Sequence, residues 1–165
     1  MHVPPVRSDG LQIEEQRSFQ QAFWTFERCA WLTFALVLVL ALAGLTGAGG
    51  YFATATSPLS AGNVEYPRIS RWESSDEVKV TFNRGRSSHQ LTLAPVFLQY
   101  FEVEGIEPQP ERATTTPEGT VLEFSGHQHA AMTVVVYVRA LRPGIATYSI
   151  GLDGTATRVS TVILP

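Results

Sequence analysis

AWLTFALVLVLALAGLTGAGGYF, residues Ala30 to Phe52, is the stretch whose reading decides how this chain is built. It carries no charge, and none occurs anywhere between Arg28 and Glu65. Drawn as a helix, its 23 residues reach roughly 35 Å at about 1.5 Å each, enough to cross a hydrocarbon core of about 30 Å with some tilt. A soluble domain rarely exposes or buries so continuous an apolar run. Residues 30–52 therefore read as one transmembrane helix that separates a short N-terminal segment from a C-terminal domain.

Upstream, Met1 to Gly10 has no periodicity and reads as a mobile terminus. Residues 11–29 read as a cytoplasmic amphipathic lead. Phe19, Phe23 and Phe26 recur at helical spacing and Ala30 continues the row, while Gln16, Gln20, Gln21 and Glu27 lie off it. Trp24 and Trp31 bracket the point where the chain enters the bilayer, as interfacial aromatics do. Two readings fit this lead: the first turns of one continuous helix in the headgroup zone, or a docking helix that sets its Phe stripe on a partner.

Arg28 abuts the run and Arg17 lies close, whereas the far side has no basic residue until Arg68, sixteen residues beyond Phe52. By the positive-inside rule the N-terminus is cytoplasmic and the C-terminal domain periplasmic or extracellular. Ala53-Thr54-Ala55 is an A-x-A cleavage pattern. Against cleavage, the lead is acidic and long, and the run exceeds the roughly 7–15 residues of a signal core. The expectation is an uncleaved, single-pass signal-anchor in the cytoplasmic membrane.

At the end of the run, Ala43 with Gly47, and Gly44 with Ala48, stand at the i, i+4 spacing that lets two transmembrane backbones approach closely. These four are the expected helix-packing residues. Gly49-Gly50 then loosen the helix, and residues 53–63, mostly TATSPLSAGN, read as a polar tether.

Residues 64–165 form one domain with a modest core, and its pattern is all β. Val78, Val80 and Phe82 alternate with Lys79 and Thr81, and Leu91 and Leu93 flank Thr92. Phe101, Val103 and Gly105 oppose Glu102 and Glu104 before the breaker Pro108-Gln109-Pro110. Pro117-Glu118-Gly119 is a turn before Val121 to Phe124, and Arg142-Pro143-Gly144 is another. Met132 to Ala140 (MTVVVYVRA) is β-branched enough for the middle of a sheet. Asp153-Gly154 is a two-residue hairpin signal of the type I′ class, and Pro95 to Tyr100 fits one short helical turn. Seven or so short strands over about a hundred residues fit an Ig-like β-sandwich. The Cys–Trp–Cys core of antibody domains is absent.

Composition excludes several classes of function. The C-terminal domain has nine basic and eleven acidic residues, so nothing points to nucleic acid, and no Lys/Arg cluster in the sequence marks an anionic lipid surface. Cys29 is the single cysteine, which rules out an intrachain disulfide framework. It precedes the apolar run, where a lipoprotein-type anchor would follow it.

A set of short motifs runs through the chain: Phe23-Trp24, Glu27-Arg28 and Trp31, the Gly-rich helix exit, Val64-Glu65-Tyr66-Pro67-Arg68 with Arg71, Ile106-Glu107-Pro108-Gln109-Pro110, Pro143-Gly144 and Pro165. With these the chain resembles a loose family of small bacterial single-pass membrane proteins with a C-terminal extracytoplasmic β domain. Where that family leads one to expect Phe at the helix exit, this chain has Thr46-Gly47-Ala48. The resemblance implies the topology only, with no activity, cofactor or site residue attached.

The chemistry-bearing residues are sparse, and no catalytic residue or cofactor is expected. His127-Gln128-His129, with Met132 and His89, could offer imidazole and thioether to copper or zinc. Two histidines in a Gly-bounded loop read more simply as solvated turn residues. Ser87-Ser88-His89 sets hydroxyls beside an imidazole, but a nucleophile–base pair needs an orienting acid that adjacency does not supply. Glu102, Glu104 and Glu107 read as the wet face of one strand and its end. Gly47-Ala48-Gly49-Gly50 follows an apolar run rather than a strand and is no phosphate loop. The sum is an interaction or accessory subunit whose partners are the lipid bilayer and another membrane protein or a second copy of itself. The alternative is a metal- or small-ligand-binding protein built on the His127/His129 loop.

Overall fold

The computed structural model describes residues 17–45, 50, 52–126 and 129–165. The chain divides into two compact units, one up to Val39 and the other Leu40–Pro165. Helix α1 runs Arg17–Leu42 without interruption, so the described part of the lead and the first part of the apolar run are one helix. It ends ten residues before the expected Phe52, and the cause is local. Gly44 takes a φ of 84°. The Gly44 N–H donates to the Ala41 carbonyl (2.9 Å) and the Leu45 N–H to the Leu40 carbonyl (3.1 Å). This is a Schellman cap, in which a left-handed glycine lets the last carbonyls find donors. Ala43 and Gly44, two of the four expected helix-packing residues, thus stand just past the end of α1, in its C-terminal cap. Gly47 and Ala48 lie outside the described residues.

Beyond the helix the chain is mostly β. The strands are β1 (Thr54–Leu59), β2 (Gly62–Pro67), β3 (Ile69–Arg71), β4 (Ser75–Phe82), β5 (Ser88–Leu93), β6 (Phe101–Glu107), β7 (Arg112–Thr116), β8 (Gly119–Ser125), β9 (Met132–Ala140), β10 (Gly144–Leu152) and β11 (Thr155–Leu164). Helix α2, Pro95–Tyr100, lies between β5 and β6. One sheet has the order β1-β2-β4-β9-β6 and the other β3-β11-β10-β5-β8-β7. Every pairing is antiparallel except β3 beside β11.

The period-2 pattern explains the core. Val78, Val80 and Phe82 of β4 and Val134, Val136 and Val138 of β9 point inward from the first sheet and are almost wholly buried. They belong to one apolar cluster with Leu91, Leu93, Leu122, Phe124, Ile150 and Leu152 of the second sheet. The two sheets therefore share one core, and β9 lies between β4 and β6 as its β-branched composition requires. Phe97 of α2 is fully buried against Phe101 and Tyr148, with ring centroids 5.2 and 5.0 Å away. In β6 a register shift between Val103 and Gly105 turns Ile106 toward the core in place of Gly105.

Two differences from the sequence reading have plain causes. Residues 53–63, expected as a tether, form a buried residue and the first hairpin: Ala53 is inside and β1 pairs with β2 from Thr54↔Pro67 to Leu59↔Gly62. β1 is an edge strand with little apolar content, which is why it tolerates Pro58 and carries no hydrophobic signal. β7, Arg112–Thr116, is likewise an exposed edge strand, and with these edges the described strands exceed the seven or so expected.

Polar side chains join the sheets where the core ends. The Thr161 hydroxyl of β11 donates to the Pro67 carbonyl of β2 (2.6 Å) and accepts from the Tyr148 hydroxyl (2.9 Å), whose pKa burial pushes up to about 12. Nearby, Ser70 of β3 is fully buried and donates to the Asp76 carboxylate of β4. Burial raises the Asp76 pKa above its usual 3.8, and the Ser70 hydrogen bond works against that rise.

A raised folded-state pKa means that the fold resists ionisation of this carboxyl. The penalty is absent below the unfolded pKa and grows as pH climbs through the raised one. Asp76→Asn keeps an acceptor for Ser70 and removes the charge. It should melt above the parent at neutral pH, and the gap should close as pH falls below about 4. Thermal melts of the two proteins across that range give the answer.

Candidate functional site

The core alternation of β5 starts one step earlier than its leucines. His89, Leu91 and Leu93 all point inward, and His89 is 1% exposed. The β10–β11 hairpin brings an acid to it. Asp153 and Gly154 have φ of 46° and 86°, the two left-handed residues of a type I′ turn, closed by the pair Leu152↔Thr155. Because Leu152 also pairs with Leu91, that turn overhangs the start of β5.

The Asp153 carboxylate then grips β5 twice. Its Oδ1 accepts the Gln90 N–H at 2.7 Å, and its Oδ2 lies 2.9 Å from His89 Nδ1. The Asp153 N–H donates back to the Gln90 carbonyl at 2.9 Å. A carboxylate only accepts, so this geometry assigns the imidazole proton to Nδ1. Phe82 stacks on the ring, centroid to centroid 4.5 Å with 23° between planes. Gly126 closes the opposite edge. A Cβ there would stand 2.8 Å from His89 Cδ2 and 3.0 Å from Nε2, so only glycine fits beside this ring. Arg86 Nε is 3.9 Å from Asp153 Oδ2, but its side chain is 65% exposed and the attraction is screened.

One atom of this assembly has no partner among the described residues: His89 Nε2, which is buried. In the neutral imidazole with its proton on Nδ1, Nε2 is a lone-pair acceptor. An imidazole oriented by a carboxylate with a free Nε2 is the form that serves as a metal ligand or a general base. Ser60, Ala61, Asn83, Arg84, Arg86 and Thr155 surround the outer side of Asp153 in a shallow cleft of about 210 Å³.

The other residues singled out in the sequence are placed differently. Ser88 is on the opposite face of β5 from His89 and Ser87 is exposed, so strand alternation separates the hydroxyls from the imidazole. His129 is exposed, Met132 is half-buried opposite Phe82, and His127 lies outside the described residues. Among the described residues, no three His, Cys, Asp or Glu side chains stand close enough to hold a metal ion. Glu102, Glu104 and Glu107 are exposed along β6, and Arg139 of β9 bridges Glu102 (2.6 Å) and Glu104 (3.3 Å).

Asp153 was legible only as a turn residue. The missed signal is the register of His89 with Leu91 and Leu93, which places an imidazole in a core position and so demands a buried partner.

Asp153→Ala would leave His89 Nδ1–H and the Gln90 N–H without acceptors. It should cost about 3 kcal/mol of unfolding free energy, at roughly 1–3 kcal/mol for each unmet buried donor. Asp153→Asn keeps an acceptor and tolerates the left-handed turn, and should cost less than half as much. Urea unfolding of the full chain in detergent measures both.

No family model matches the chain, and no curated protein matches it. Among solved structures it is similar to domains 4 and 5 of the S-layer protein SbsC, with a TM-score of 0.40 and 12% identity over 68% of this chain and 54% of that one. The chain thus spans about half the length of that structure.

Proposed function

We propose that the chain is a membrane-anchored accessory subunit, not an enzyme, that binds another membrane protein or a second copy of itself. In this reading α1 is an uncleaved signal-anchor in the cytoplasmic membrane, with the N-terminus inside. The β unit, an Ig-like sandwich in its general build, stands outside as the second binding surface. The carrying observation is the bare helix. The window of α1 apolar enough to cross a membrane, within Ser18–Leu42, is 0% buried by the rest of the chain. Phe26, Leu32 and Leu42 are 71%, 70% and 80% exposed. At about 25 cal/mol per Å² such a surface stays out of water only in lipid or against another protein.

The early helix stop moves the crossing toward the N-terminus. From Cys29 to Leu42 the helix is free of charge, but that part reaches only about 21 Å. A full crossing takes in the turns around Phe23, with Arg28 reaching back to the interface, its guanidinium 6.0 Å from the Trp24 ring centroid. The contact to a partner helix then falls on the exposed stripe Phe19, Phe23 and Phe26, where Phe19 and Phe23 already stack at 6.5 Å. Ala53 supports retention of the anchor. Cleavage after Ala55 would remove this buried residue, whose carbonyl accepts from both Arg68 and Ile69 N–H.

A second reading, an extracytoplasmic metal- or small-ligand-binding protein, is favoured by His89 Nε2, a buried acceptor at the edge closed by Gly126, the residue before the His127-Gln128-His129 stretch. One set of preparations separates the two. A reporter fused after Pro165 should be active only outside the cytoplasm, and the intact chain should resist carbonate extraction. Replacing Phe19, Phe23 and Phe26 by alanine should weaken recovery of the partner without releasing the chain from the membrane. A soluble mature form starting near Thr56 would overturn the anchor. A one-to-one rise in melting temperature with Cu²⁺ or Zn²⁺, lost on changing His127 and His129 to alanine, would move the assignment to the second reading.

A further inference from the structure

We infer that one end of the β unit is a lipid-contacting surface, built to lie on the headgroup region of a bilayer. The inference rests on the anchor reading of α1. That end is defined by its hydrogen bonds. Ala53 accepts from Arg68 and Ile69, the Val162 N–H donates to the Arg68 carbonyl, the Trp72 N–H to Leu164, and the Leu141 N–H to Tyr100. Among the described residues from Ala53 onward, the large apolar side chains left exposed are Trp72, Val96, Leu98, Leu141, Ile145 and Val162, together with Tyr137 in the middle of the other sheet. The first six lie on or beside this end, on α2, on the turns before β4 and β10, and on the rung where the start of β10 meets the end of β11.

The register sharpens the point. Ile145, Val162 and Ile69 stand side by side across β10, β11 and β3, facing outward. Further along the same outer face the rungs are polar: Thr147 opposite Ser160, then Ser149 opposite Arg158. A solvent-facing sheet would continue that polar pattern to its end. Here it turns aliphatic at the rung nearest the point where the chain arrives from the helix. Arg68, Arg71 and Arg142 are exposed at the same end, together with Glu73 and with Glu102 and Glu104, which Arg139 engages, and the Arg142 guanidinium sits 4.1 Å over the Tyr100 ring. Tryptophan, aliphatic residues and arginine together are the composition that suits the headgroup region.

Chain geometry selects lipid as the occupant. Within the unit Leu40–Pro165, the Phe52 N–H donates to the carbonyl of Ala43, the residue that follows α1, at 3.1 Å. Ala53 is therefore one residue from a backbone bond to Ala43. When α1 crosses a bilayer, its C-terminal end marks the far surface, and Ala53, with the rung beside it, is held there.

The test uses the full chain in vesicles of phosphatidylethanolamine and phosphatidylglycerol. Trp24→Phe with Trp31→Phe leaves Trp72 as the single tryptophan of three. Its emission should be quenched by a nitroxide on the lipid headgroup and shielded from iodide. Ile145→Asp with Val162→Asp, both outward-facing, should abolish that quenching, and Arg68→Gln with Arg71→Gln should weaken it. A companion protein with Trp31 alone reports insertion of α1 through acyl-chain nitroxides. Quenching of Trp31 with Trp72 unquenched and open to iodide overturns this inference and leaves the anchor standing. If neither is quenched, the anchor reading fails and this surface fails with it. Persistent quenching in the aspartate variant also overturns it.

Discussion

Val134, Val136 and Val138 are wholly buried in the middle of one sheet, and covering them shapes the rest of the β unit. β9 must have a strand on each edge, which β4 and β6 supply, and a second sheet over its inner face. At roughly 1.5–3 kcal/mol for each buried aliphatic or aromatic side chain, this shared core is the main stabilising term for the fold. Among the described residues, none of the core cluster comes from α1.

A core built by strict alternation has a weak point where an inward position falls at the end of a strand. At Phe82 and His89 the two sheets meet near such an end, and an imidazole occupies a place that a leucine would fill without polar cost. The chain supports it with an aspartate in a left-handed turn, an aromatic stack and a glycine. The remaining Nε2 has no partner among the described residues, and a buried acceptor left so costs about 1–3 kcal/mol. Packing alone gives no reason to keep a histidine there. Local inconsistency of this kind points to a role other than stability.

The sequence pattern was informative where burial was one-sided. The inward rows of β4, β5, β8 and β9 follow directly from alternating Val, Leu and Phe, and Asp153-Gly154 specified its turn because few residues adopt two successive left-handed conformations. The edge strands β1 and β7 were illegible, since Thr, Ser, Pro and Arg there answer to hydrogen bonding rather than to a core. The helix stop was misread for a related reason. Hydropathy stays high through Gly44, so only backbone geometry distinguishes a glycine that packs from one that caps. The histidine–aspartate pair joins residues 64 positions apart, and no local pattern encodes that contact.

These features divide the β unit into two chemically distinct ends. One gathers Trp72, Ile145, Val162 and three arginines at the end that holds Ala53. The other carries the Asp153 turn, His89, Arg84 and Arg86, and the exposed His129. Antiparallel strands force this separation, because every turn lies at one end or the other and side-chain chemistry sorts with it. An aliphatic rung at the polar end would be a liability in water, and a buried imidazole beside lipid would lose access to any aqueous ligand. The two ends therefore differ in what each can meet: the aliphatic rung suits an apolar surface, and the histidine end suits an aqueous ligand.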